Sequence, residues 1–69
     1  MKIHYDKESD TLYIGLKTDG YVDSEEIKDG LVVDYDAEDR IIAMEFLPAS
    51  RVTALSPEAL EELAASVKT

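Results

Sequence analysis

The stretch DYDAEDRIIAMEF, residues 34–46, carries five carboxylates, and their spacing approaches that of a calcium ligand set. Counted from its first ligand, an EF-hand loop places oxygen donors at positions 1, 3, 5 and 12, with glycine at position 6 for the sharp bend. Asp34, Asp36, Glu38 and Glu45 meet the donor positions, but Asp39 stands where the glycine belongs. The flanks LVVDYD and RIIAMEFL alternate like strands, whereas a calcium loop joins two helices. On a strand pair Asp34 and Asp36 share a face, while Glu45 lies far along the returning strand. The stretch therefore reads as strand, tight turn and strand. Asp34, Asp36 and Glu38 are the candidate metal ligands of the competing reading, and no metal or cofactor is expected.

Other chemistry has little to stand on. His4 is the only histidine and lies in an expected edge strand, with nothing in the spacing to bring Ser9, Ser24 or Ser50 to it as a nucleophile. Cysteine is absent, which removes disulfides and thiolate zinc sites. The three glycines are single and scattered, so no phosphate-cradling loop is present. Carboxylate pairs are abundant, and that abundance robs them of meaning as acid–base candidates. The chain is read as non-enzymatic.

The 69 residues make one small domain, residues 1–69, with a sheet part over 1–50 and a C-terminal helix over 56–68. Such a chain buries only about 60% of the surface its unfolded form exposes, so a partner copy is a natural source of further stability. Sixteen acidic against seven basic residues give a net charge of −9. That field repels phosphate backbones and anionic membranes, and it attracts basic proteins. No nucleic acid and no membrane is expected as a partner. The charged start MKIHYDKESD lacks the pattern of a signal peptide, and no apolar run approaches the ~20 residues of a membrane span. The expected location is cytoplasmic.

The elements follow from periodicity. KIHYD alternates, with Ile3 and Tyr5 on one side and His4 on the other. TLYIGLK places Leu12, Ile14 and Leu16 on one face, and Asp19-Gly20 is a hairpin signal. YVDSEEI is a more polar strand, Asp29-Gly30 a second turn, and LVVDYD and RIIAMEFL a third hairpin. Pro48 ends the sheet because it lacks a ladder N–H. Ser56 then suits an N-cap and Pro57 the first helical position, with Leu60, Leu63, Ala64 and Val67 on one stripe. The expected fold is α+β: an antiparallel meander of four to five strands with one amphipathic helix packed on one face.

One short helix cannot cover both apolar faces of the last hairpin. Ile42, Met44 and Phe46 make one face, while Val32, Ile41, Ala43 and Leu47 lie on the other and are the expected interaction surface. A homo-oligomer, with a dimer favoured, is the expectation. IHYDKESDTLYIGL and VVDYDAEDRIIAMEF also echo each other, each running strand, Tyr-Asp, acidic turn, strand.

Tyr5-Asp6, Asp10, Leu12-Tyr13-Ile14, Ser24-Glu25, Gly30, Asp34-Tyr35-Asp36, Ile41, Glu45, Leu47 and Ala49-Ser50 together resemble the family catalogued as domain of unknown function 2283. The resemblance covers residues 3–50 and departs at Asp39 and Ala43, where the family pattern tends to glycine. It implies a small α+β domain with an antiparallel sheet and no activity. Companionship of members with small toxin-like proteins implies an antitoxin-like or accessory role. The reading is a small acidic interaction module that self-associates or binds a basic protein. The alternative is a domain binding a small ligand or divalent metal at a dimer interface.

Overall fold

The computed structural model describes residues 1–67. Five strands, β1 (Lys2–Asp6), β2 (Thr11–Gly15), β3 (Asp23–Lys28), β4 (Leu31–Tyr35) and β5 (Ile41–Phe46), precede two helices, α1 (Ala49–Thr53) and α2 (Pro57–Ser66). The fold is α+β, and every strand pairing is antiparallel.

The strand order is β1-β2-β5-β4-β3, which corrects the expected meander. β1 and β2 pair as a hairpin and β3, β4 and β5 follow one another in space, but β5 then lies beside β2, a Greek-key return. The physical reason is burial. β2, β4 and β5 are the more apolar strands and take the centre, where the register of β2 with β5 sets Leu12 opposite Phe46 and Ile14 opposite Met44. The polar β1 and β3 take the edges. Asp19-Gly20 accordingly sits in a longer connection from β2 to β3 and not in a tight hairpin.

Register defines the two faces. Ile3, Ile14, Met44, Val33 and Glu25 run as one row across the sheet, and Tyr5, Leu12, Phe46, Leu31 and Lys28 as the next. Both rows look toward the helices. Leu60 of α2 and Ala49 of α1, each 0% exposed, close on Leu12, with Ile3, Tyr5, Ile14 and Phe46 packed around them. Replacing a side chain buried like Leu60 by alanine costs about 2–5 kcal/mol. The opposite face carries the row His4, Tyr13, Glu45, Val32 and Glu26.

The helical part corrects the expected single helix. Ser56 accepts the Ala59 N–H at 3.1 Å and Pro57 opens α2, as their types require. Yet α2 ends at Ser66, and Lys68 of the expected 56–68 helix lies outside the described residues. Of the expected stripe, Leu60 is buried, Ala64 and Val67 are half-buried, and Leu63 remains 36% exposed on the helix flank. Before α2 the chain makes the additional short α1, directly after Pro48.

Candidate functional site

Asp10 organises the junction between sheet and helices. It closes the β1–β2 turn at φ 55°, in the left-handed region, and so aims its side chain at the start of α1. Its Oδ1 accepts the Tyr5 hydroxyl at 2.7 Å and the Ser50 N–H at 3.1 Å, and its Oδ2 accepts the Ser50 hydroxyl at 2.5 Å. Its carbonyl also accepts the Ala49 N–H at 2.7 Å. The N-cap of α1 is Pro48, which has no side chain able to cap, so Asp10 satisfies the first two helical amides from forty residues away. The Ser50 hydroxyl and then the Tyr5 hydroxyl hold the Asp10 carboxyl below its ordinary range. Burial, reinforced by the hydrogen bond to Asp10, pushes the Tyr5 phenol up to about 12. The cluster binds helix to sheet.

The β4–β5 turn is built in the same way. Asp36 is buried; its Oδ1 accepts the Glu38 N–H at 2.9 Å and the Arg40 N–H at 3.0 Å, and its Oδ2 accepts Arg40 Nε at 3.0 Å. The Arg40 backbone N–H foremost, then the Glu38 N–H and the guanidinium, keep its carboxyl below the ordinary value. Asp39 closes the turn at φ 61°. The echo seen in the sequence is thus geometric. Asp6 Oδ1 accepts the Glu8 N–H as Asp36 Oδ1 accepts the Glu38 N–H, and Asp10 and Asp39 both take positive φ.

The candidate metal ligands are already engaged, Asp36 and Glu38 by the shared Arg40 guanidinium and Asp34 by Ser24. Asp34 accepts the Ser24 hydroxyl at 2.7 Å, Asp36 holds its turn, and Glu38 accepts Arg40 Nη2 at 2.9 Å. Among the described residues, no group of three His, Cys, Asp or Glu side chains is placed to hold a metal ion.

The expected interaction surface does not form one patch. Ala43 is 2% exposed and Val32 half-buried, while Ile41 and Leu47, 47% and 50% exposed, lie at opposite ends of β5. Six residues of strand separate the last two by roughly 20 Å. Ala43 is shut in on a central strand, between Gly15 of β2 and Asp34 of β4.

Sequence reasoning missed a hollow of about 380 Å³ at the start of β3, lined by Val22, Asp23, Glu25, Tyr35, Asp36 and Asp39 among others. Val22 in its lining and the adjoining Tyr21 are both about 60% exposed. No periodic signal marks it, because its walls come from two segments, 22–25 and 35–39, that the register of β3 against β4 brings together.

The architecture is that of a small sheet with helices on one face only. The chain belongs to the family described as Protein of unknown function (DUF2283), whose model matches residues 2–50, all five strands and the first residues of α1. The residues that carried the resemblance include Tyr5, Asp10, Ala49 and Ser50, which meet at the sheet–helix junction. No curated protein and no solved structure gives a significant match. No helix among the described residues is long and apolar enough to cross a membrane.

Proposed function

We propose that this chain is a non-enzymatic cytoplasmic interaction module that binds a basic protein partner at the start of β3. The observation that carries the reading is the hollow in which Asp23, Glu25 and Asp39 surround Tyr35 and Val22. A lysine or arginine side chain suits such a place: the carboxylates supply charge-assisted hydrogen bonds, and an aromatic ring adds attraction for the cation. Exposed Val22 in its lining and Tyr21 next to it offer apolar contact, which holds a complex once formed. The net charge of −9 draws a basic partner in from a distance and raises the association rate. The cysteine-free chain is compatible with a reducing compartment.

Affinity capture from lysate, with wild type and Asp23→Lys/Glu25→Lys compared side by side, tests this. A basic protein retained by wild type at low salt, released at high salt and not retained by the double variant is the expected result. Its retention must then be reproduced with the purified pair. Equal capture by both chains would overturn the reading.

A further inference from the structure

The two edges of the sheet are built differently. The Leu47 N–H donates to the Gly30 carbonyl, so even-numbered residues of β4 bond to β5 and odd-numbered ones to β3. With Glu25 opposite Val33, the backbones of Ser24 and Glu26 face outward from β3. That edge is blunted three times over. The Ser24 N–H is taken by the Asp23 carboxylate at 2.9 Å, the register breaks between Glu26 and Lys28, and Asp23, Glu25 and Glu26 repel a like strand.

The β1 edge has none of these devices. The Leu16 N–H donates to the Ile42 carbonyl, so even-numbered residues of β2 face β5 and odd-numbered ones face β1. Tyr13 lies opposite His4, so Lys2, His4 and Asp6 turn their backbones inward, and Ile3 and Tyr5 point theirs out of the sheet. Among the described residues no hydrogen bond from another element reaches those outward groups. The pairing is regular over all five residues, and α2 docks on the face of the strand through Ile3 and Tyr5. The matching hairpin β4–β5 has its outer strand covered by β3; β1 has no such neighbour.

We propose that two copies of this chain pair through β1, antiparallel and about a two-fold axis at His4, making a continuous sheet of ten strands, five from each copy. In this register Ile3 faces the partner's Tyr5 and exchanges both backbone hydrogen bonds with it. Lys2 then stands directly opposite the partner's Asp6, and Asp6 opposite the partner's Lys2. These are closely spaced non-hydrogen-bonded positions, where opposite charges attract. Lys2, His4 and Asp6 are all exposed and so available. The strand is charge-balanced and self-complementary, in a chain whose net charge of −9 otherwise opposes self-contact. The pairing is independent of the basic-partner reading, whose residues lie at the far edge.

Sedimentation of the full chain from about 10 µM to 1 mM, the range of weak small interfaces, measures it. Wild type is expected to show a monomer–dimer equilibrium. Lys2→Glu and Asp6→Lys alone should each weaken association about tenfold or more, because each sets like charges opposite at both ends of the pairing. An equimolar mixture of the two variants should restore the dimer, since each reversed charge then meets its opposite. Asp6 also accepts the Glu8 N–H, so circular dichroism checks that Asp6→Lys folds; among the described residues the Lys2 side chain makes no hydrogen bond or ion pair, so Lys2→Glu carries the test alone. A wild type that stays monomeric throughout overturns the proposal, as does a Lys2→Glu chain that dimerises like wild type.

Discussion

The Ser50 hydroxyl donates to Asp10 Oδ2 at 2.5 Å across forty residues of chain, and the Ser50 N–H donates to the same carboxylate. Through this one side chain the first hairpin caps the first helix. Asp10→Ala leaves the Ser50 and Ala49 end of α1 with one anchor in place of several, and frees the Tyr5 hydroxyl. The melting temperature should fall by on the order of 10 °C, given what charge-assisted hydrogen bonds contribute in so small a domain. Thermal denaturation followed by circular dichroism reads it, with Ser50→Ala expected to show a smaller fall.

Acid should act through the same group. The folded Asp10 and Asp36 carboxyls lie below their ordinary value, so their contribution to stability is complete above about pH 4. It is lost as the pH falls through the lower folded values. Asp10→Asn should therefore be less stable than wild type at neutral pH and should show a shallower decline below pH ~4, in melting curves taken across that range.

Alkali acts with the opposite sign. The Tyr5 phenol is raised to about 12, so the folded state holds its proton more tightly than the unfolded chain does. Stability linked to this group is complete below about pH 10 and declines from there toward 12. Tyr5→Phe should flatten that alkaline limb while losing stability at neutral pH with the hydrogen bond to Asp10.

Gly30 and Gly20 both take positive φ, 87° and 86°, but only Gly30 is crowded. A Cβ there would lie 2.5 Å from Val52 Cγ2 and 2.9 Å from the Leu47 carbonyl oxygen, whereas at Gly20 the nearest atom is 3.6 Å away. Gly30→Ala should cost about 2–4 kcal/mol, backbone strain plus overpacking, and Gly20→Ala about 1–2 kcal/mol from strain alone. Urea denaturation distinguishes them.

Much of the fold was legible because the strands obey period two: the five strands lie within a few residues of where alternation and turn chemistry put them. Ser56 and Pro57 likewise announced α2. The strand order was not legible, because which apolar strand pairs with β2 is a matter of burial across the whole sheet and not of local pattern. The five-residue α1 is too short to show a helical period, and its cap, Asp10, belongs to another hairpin. The exposure of Ile41, Ala43, Val32 and Leu47 depends on neighbouring side chains and on the register shift between Asp34 and Tyr35, neither of which a local pattern reveals. The hollow beside Tyr35 has the same origin. Asp39 shows how far local reading can go: its place in the turn was read as one suited to glycine, and it adopts φ 61°.

Docking of a basic partner on the carboxylates at the start of β3, as proposed, is open to direct test. The most direct measurement is an NMR titration of the isotopically labelled chain with a short peptide alternating arginine and valine. Shifts concentrated at Val22, Asp23, Glu25, Tyr35 and Asp39, abolished by Asp23→Lys/Glu25→Lys and by high salt, are the predicted result. Shifts spread evenly over acidic residues elsewhere, such as Glu8, Glu58 and Glu62, or unchanged in the double variant, would contradict it.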